Sequence, residues 1–177
     1  ANAHVPPGTV LEGEGLVEGP AAADSTAHGT AIAGQIAARS IGSQSAVVGL
    51  AKEAIILPVK ITDGRDQDNE RITRLADGIR WAADNGARVM NLSLSTPSDI
   101  PAIREATAYA VAKDIVVVAS AGNRSTASET SDGMRYPAGY PGVIGVAAAA
   151  ARDVVPAASL HGPQVSLTAP GHTIVST

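Results

Sequence analysis

A histidine stands where a helix is expected to begin, and its imidazole could act as a general base. His28 opens the segment HGTAIAG at positions 28–34, and the preceding Asp24, Ser25 and Thr26 are candidate helix caps. A general base takes a proton from a nucleophile that lies within hydrogen-bond reach. The residues around His28 leave two readings open, a catalytic base or a histidine bonded to local backbone groups.

The serines near His28 and near the predicted strand ends do not supply a nucleophile. Ser25, Ser93, Ser95 and Ser120 lack the sharp turn at a helix start that exposes a nucleophilic hydroxyl. Neither Gly-Thr-Ser nor Gly-x-Ser-x-Gly occurs in the 177 residues. Asp24 is the only carboxylate closely upstream of the histidine, and its position favours a cap or turn former over a catalytic group.

An acidic loop is the other group of residues that could bind a ligand. Asp63, Asp66, Asp68 and Glu70 suggest calcium, but Arg71 stands where an EF-hand starting at Asp66 would need glycine. A solvated loop is therefore the favoured interpretation. We expect no cofactor, and a structural calcium ion stays open without a clear motif. The sequence has no cysteine, which excludes disulfides and thiolate metal sites.

The elements that must position these residues alternate between strands and helices. Such alternation predicts a parallel, doubly wound α/β sheet, in which functional groups collect at the carboxyl ends of the strands. Apolar periodicity, caps and stops predict helices over 28–38, 72–85 and 101–113 and strands over 54–61, 88–94, 115–121, 143–149 and 165–168.

Composition limits the partners and the size of the protein. The length fits one domain, and 2% aromatic content with no Phe means that the core must be built from Ala, Val, Ile and Leu. A net charge of −4 without a basic cluster argues against a nucleic-acid partner. No apolar run approaches the roughly 20 residues that span a membrane. No signal peptide is visible, and the start without Met is interpreted as a cut.

Six segments along most of the chain carry a recognisable pattern. They are HGTAIAG (28–34), VVGLAKEAIILPVKI (47–61), GARVMNLSLS (86–95), VVVASAGN (116–123), YPAGYPGVIGVAA (136–148) and VSLTAPGHTIVST (165–177). In this order they resemble the subtilisin-like serine proteases, the subtilases, and their residues are most similar to those of actinobacterial members, including mycosin-like ones. The resemblance implies a three-layer, mostly parallel doubly wound fold, truncated at both ends. It implies a single incomplete catalytic domain over 1–177, with 1–23 loop-rich and 24–177 as the core.

The resemblance also implies roles for individual residues. His28 matches the general base, and Asn123 matches the amide that donates to the developing oxyanion. Ser93, Leu94 and Ser95 match the segment that pairs with an extended peptide, and Ser120, Ala121 and Gly122 match its opposite side. A turn asparagine and an ordinary strand with polar ends are the plain alternatives. Glycine usually follows the Ser-Leu pair in this family, but Ser95 stands there in this chain, so the subsites are expected to differ.

The expected function is that of a serine endopeptidase working through an Asp-His-Ser triad and an acyl-enzyme. The triad Asp and Ser are expected to lie outside this chain, so the isolated chain is predicted to be inactive. Expected partners are a peptide or protein substrate and complementary N- and C-terminal segments or a second copy, since a truncated sheet exposes an edge. The family implies a secreted or extracytoplasmic location. A non-catalytic peptide-binding pseudoprotease is the alternative, and a nucleotide-binding domain is disfavoured because no G-x-G-x-x-G or P-loop occurs.

Overall fold

The computed structural model describes residues 8–40, 47–64, 68–124, 133–150, 152, 154, 156–171, 174 and 176, without the side chains of 68 and 69. The chain divides into two compact units. One comprises Ala1–Arg74 with Val175–Thr177, and the other comprises Leu75–Ile174. The prediction of a single domain over 1–177 stays a prediction.

The first unit contains a short parallel strand pair and a helix. Strand β1 (Glu14–Gly15) pairs with strand β2 (Val59–Lys60), and helix α1 covers His28–Ala37. Helix α1 matches its prediction to within one residue. The strand predicted over 54–61 is shorter than expected, because Pro58 has no amide hydrogen and interrupts the ladder. Strand β1 lies in the segment predicted as loop, where two residues are too few for an alternating pattern to show.

The carboxyl end of α1 is closed by the chain that follows it. Backbone N–H groups of Gly49, Leu50 and Ala51 donate to the carbonyl oxygens of Ala38, Gln35 and Ile36 at 2.8, 3.0 and 2.8 Å. These are carbonyls that a helix end leaves without intrahelical partners. The segment after α1 therefore stabilises the helix that begins at His28.

The second unit is organised around a four-stranded sheet. Its strands are β3 (Val89–Leu92), β4 (Val116–Ser120), β5 (Val143–Ala149) and β6 (Leu167–Pro170), in the order β3-β4-β5-β6 and all parallel. Helix α2 (Asp68–Asp84) precedes β3, and helix α3 (Pro101–Ala112) connects β3 to β4. The boundary between the two units falls inside α2.

These elements confirm the predicted alternation of strands and helices, although the first and last residues of several elements differ from the prediction. Strand β5 has the predicted bounds, β3 and β4 lose residues at both ends, and β6 begins two residues later than expected. Helix α2 stops at the predicted place, before Gly86, whose φ of +84° favours glycine. The shortening of β3 matters for function, because Ser93, Leu94 and Ser95 follow the strand instead of belonging to it.

The core of the second unit consists of small aliphatic side chains, as the composition predicts. Ile103 on α3, Val117 on β4 and Leu160 are almost completely buried. Strand β5 alternates buried and half-buried residues along its whole length. The hydroxyl of the buried Tyr140 accepts a hydrogen bond from Ile100 N–H at 3.1 Å and donates to Ile100 O at 3.2 Å, which fixes the start of α3. In the described part of the chain, no helix combines the length and apolarity that crossing a membrane requires.

Candidate catalytic and substrate-binding site

A single carboxylate holds the turn that leads into His28. Ala27, the residue before the helix, has φ 60° and ψ −1° and supplies no side-chain cap. Asp24 supplies it instead, because its Oδ2 accepts the N–H of Thr30 at 2.7 Å. Its Oδ1 accepts both the N–H and the hydroxyl of Thr26 at 3.0 Å. The prediction that Asp24 is a cap is confirmed. Its hydrogen bonds to Thr26 and Thr30 hold the turn and the first residues of α1 on both sides of His28.

The hydrogen bonds to Asp24 also determine its acidity. Partial burial raises the pKa of this carboxyl, but the hydrogen bonds from Thr30 and Thr26 outweigh burial and lower the pKa from 3.8 to about 2. A carboxylate whose pKa is depressed in the folded state stabilises that state above the unfolded pKa. This stabilisation is lost as the pH falls from near 3.8 through 2.

Replacing Asp24 with alanine is expected to lower stability by about 0.5–2 kcal/mol at neutral pH, the usual cost of losing a helix cap. The difference between wild type and variant should shrink as the pH is lowered from 5 to about 2, since the wild-type carboxyl becomes protonated there. Thermal unfolding across this pH range measures both effects. Asp77→Ala, at an exposed aspartate on α2, is the matched control. A difference that does not change with pH would contradict the capping role.

The two predicted substrate-binding segments lie at the same edge of the four-stranded sheet. In the register of β3 and β4, Leu92 pairs with Ala119, so Ser93 is the first residue after β3 and Ser120 is the last residue of β4. Ser93 Oγ accepts a hydrogen bond from Asn91 Nδ2 at 2.8 Å. The structure therefore brings the segments 93–95 and 120–122 to the carboxyl ends of neighbouring parallel strands, where ligands of α/β sheets bind.

Asn123 directly follows segment 120–122, and backbone hydrogen bonds fix its main chain. It forms an isolated antiparallel bridge with Ser159, and the N–H of Leu160 donates to Gly122 O at 3.2 Å. The Asn123 side chain is exposed and makes no hydrogen bond to any residue that the structure describes. Its carboxamide N–H groups are thus available to a ligand, while its main chain is fixed.

One residue that supports the site was not predicted from the sequence. Gln164 is 3% exposed, and its Nε2 donates to Ala121 O at 3.4 Å and to His161 O at 3.5 Å. Its hydrogen bond to Ala121 O thus supports the segment 120–122. A lone glutamine in a loop gives no sequence signal for this role, because the contact joins residues far apart in the chain.

The remaining parts of the predicted site stay predictions. His28 belongs to the first unit and Asn123 to the second, and their joint action on one substrate is treated below as a proposal. Within the described residues no three His, Asp or Glu side chains form a group that could hold a metal ion. Asp66 and the side chain of Asp68 lie outside what the structure describes, so the expected absence of a cofactor also stays a prediction.

The parallel α/β architecture and the placement of these segments define a subtilisin-like serine protease fold. Residues 15–177 match the subtilase family, and the chain belongs to that family. The recognition made from the six segments is confirmed, and so is the three-layer, mostly parallel α/β fold class.

Individual relatives place the chain within the family. It is 34% identical over 157 residues to the major intracellular serine protease of Bacillus subtilis (strain 168), covering 89% of this chain and 48% of the relative. It is 35% identical over 154 residues to subtilisin E of the same strain, covering 87% and 39%. Its structure is similar to that of MycP1 with the N-terminal propeptide removed, with a TM-score of 0.82 at 26% identity, covering 98% of this chain and 62% of the other. The chain spans about half the length of the curated relatives it matches.

Proposed function

We propose that the complete protein to which this chain belongs is a serine endopeptidase. The observation that carries the proposal is the shared edge of β3 and β4, where segments 93–95 and 120–122 lie and where the exposed amide of Asn123 directly follows the second of them. Membership of the subtilase family gives the same class of enzyme. Substrates are peptides or proteins, as expected for this class.

Each residue has a definite task in the proposed reaction. His28 takes the proton from a serine hydroxyl as the serine oxygen forms a bond to the substrate carbonyl carbon. The carbonyl electron pair moves onto oxygen, and the Asn123 amide donates a hydrogen bond to that oxyanion. When the intermediate collapses, His28 returns the proton to the leaving amine, and water then hydrolyses the acyl-enzyme. The serine and the aspartate that orients His28 are proposed to come from parts of the protein outside this chain.

Substrate binding is proposed to use the backbone of both segments. An extended peptide lies between Ser93–Ser95 and Ser120–Gly122 and pairs with them as an added strand. Backbone pairing gives affinity that tolerates many sequences, and side-chain pockets between the segments give specificity. The fixed main chain of Gly122 and Asn123 keeps the peptide carbonyl and the amide donor in register.

The location of the protein is proposed from its relatives, and its assembly is proposed from an exposed edge strand. We propose a secreted or extracytoplasmic protein, since subtilisins are among its relatives, although one relative is named as intracellular. Complementary segments of the same protein, or a second copy, are proposed to cover the edge strand β3, where Val89 is 63% exposed.

A fluorophosphonate probe, which reacts with activated serines, tests the proposed function. The full-length protein is expected to label at one serine, and the isolated 177-residue chain is expected not to label. The reason is that loss of the triad serine in a subtilisin lowers kcat by about 10⁶. Heat-denatured full-length protein is the control for nonspecific labelling.

The outcomes separate the candidate functions. Labelling of the isolated chain would contradict its predicted inactivity. A full-length protein that does not label but binds extended peptides would instead support the non-catalytic binding module.

A further inference from the structure

Gln164 is a buried residue whose amide is hydrogen-bonded on its nitrogen side only. Its Nε2 donates to Ala121 O and to His161 O, and the two carbonyl oxygens at this end identify it as the NH2 group. Its Oε1 is buried and has no hydrogen-bond partner in the described part of the chain. A buried acceptor without a partner costs free energy that offsets the gain from the bonds on the other side, so the amide adds little to stability. What the amide does supply is a fixed partner for Ala121 O.

The main chain of Gln164 is itself held against strand β5. Gly145 on β5 leaves no room for a side chain, because a Cβ atom there would overlap the carbonyl oxygen of Gln164. Two residues further on, Ser166 N–H donates to Gly145 O at 2.8 Å, and Gly145 N–H donates to Ser166 Oγ at 3.2 Å. Gln164 therefore presents its amide to Ala121 from a position that the sheet determines.

The peptide group between Ala121 and Gly122 is the group that Gln164 holds. Its carbonyl oxygen accepts the bond from Gln164, and its N–H, on the opposite side, donates to Ser120 Oγ at 3.2 Å. Gly122 has φ +100°, and glycine adopts positive and negative φ about equally well. The backbone at Gly122 therefore permits this planar group to rotate, and the hydrogen bonds to Ser120 and Gln164 oppose the rotation.

We propose that Gln164 is a positioning residue for the oxyanion donor. The inference rests on the proposed function, in which the Asn123 amide donates to the oxyanion. Asn123 directly follows Gly122, so a rotated peptide group at 121–122 would turn Asn123 away from the substrate carbonyl. Gln164 keeps that group in the orientation from which the carboxamide reaches the oxyanion. It touches neither the substrate nor the reacting atoms, and it acts through Asn123.

Gln164→Met in the full-length protein tests the proposal, since methionine is unbranched, similar in length and unable to donate. We expect kcat to fall by about tenfold to a hundredfold, the loss that follows a misplacement of about 1 Å, while KM changes by no more than about twofold. The melting temperature should stay close to that of wild type, because the variant also removes the unpartnered Oε1. Thr107→Val, which removes another buried hydrogen bond from a side chain to the backbone, is the matched control and should keep kcat.

A double-mutant cycle separates positioning from a merely structural role. In an Asn123→Ala background no carboxamide is left to position, so Gln164→Met is expected to lower kcat by no more than about twofold further. A structural role would lower kcat by the same factor in both backgrounds. If Gln164→Met does not fold, Gln164→Asn takes its place in the cycle. It is one methylene shorter, and because the wild-type distance to Ala121 O is already 3.4 Å, its amide cannot reach that oxygen.

The outcomes separate this inference from the function on which it rests. A wild-type kcat in the Gln164 variant, a loss seen only as a raised KM, or equal losses with and without Asn123 would overturn the inference and leave the proposed function standing. A full-length protein that neither cleaves any peptide nor labels with the fluorophosphonate probe would overturn the proposed function, and the inference with it.

Discussion

Replacing His28 with alanine in the full-length protein is expected to lower kcat by about 10⁶, the loss that follows removal of the catalytic histidine or serine from a subtilisin. Without the imidazole, no group takes the serine proton as the carbonyl is attacked, and none returns it to the leaving amine. Steady-state kinetics on a peptide substrate measure the change. The same variant should lose its fluorophosphonate labelling, since the probe also needs an activated serine.

The substitution is expected to leave the helix intact. Asp24 caps α1 through Thr26 and Thr30, so the frame around position 28 does not need the imidazole. Alanine is also a strong helix former. The melting temperature should therefore stay close to that of wild type, which separates a catalytic effect from a folding effect. His161→Ala, at an exposed histidine of the second unit, is the control for a histidine without a catalytic role. A loss of less than about tenfold in His28→Ala would contradict its assignment as the base.

The helices and most strands of this protein were predictable because local signals mark them. Asn85-Gly86 stops α2, Pro101 suits the first turn of α3, and the apolar run of β5 gives its bounds correctly. The length of strand β2 was overestimated, although the sequence contains the cause: Pro58 has no amide hydrogen and interrupts the ladder within the apolar run. Strand β1 was missed, because it is defined by its pairing with β2, and α1 separates the two strands in the sequence.

The sequence nominates residues for the candidate site, but it does not show the contacts that those residues make. Side-chain type and motif order pointed to His28 and Asn123. The register of β3 and β4 explains why the two segments predicted to bind the substrate, 93–95 and 120–122, lie at one edge of the sheet. The supporting contacts join distant positions, such as Gly122 with Arg135 and Ala121 with Gln164. No local pattern encodes such contacts, because they form only when separate strands and loops pack together. The departure from the family at Ser95 was visible in the sequence, but the Thr96–Tyr136 bridge that follows it was not.

Replacing Asn123 with alanine in the full-length protein is expected to lower kcat by about 10²–10³, the loss measured for one oxyanion donor in a subtilisin, while KM changes by no more than about twofold. KM is spared because the amide bonds the substrate oxygen mainly once negative charge has developed there. The fold should be unaffected, since the Asn123 side chain is exposed and its backbone bridge to Ser159 does not need the carboxamide. Asn85→Ala, which removes a side-chain bond to Trp81 O at the end of α2, is the matched control and should keep kcat. A raised KM with unchanged kcat would show that Asn123 holds the substrate in its ground state, and it would exclude the proposed oxyanion role.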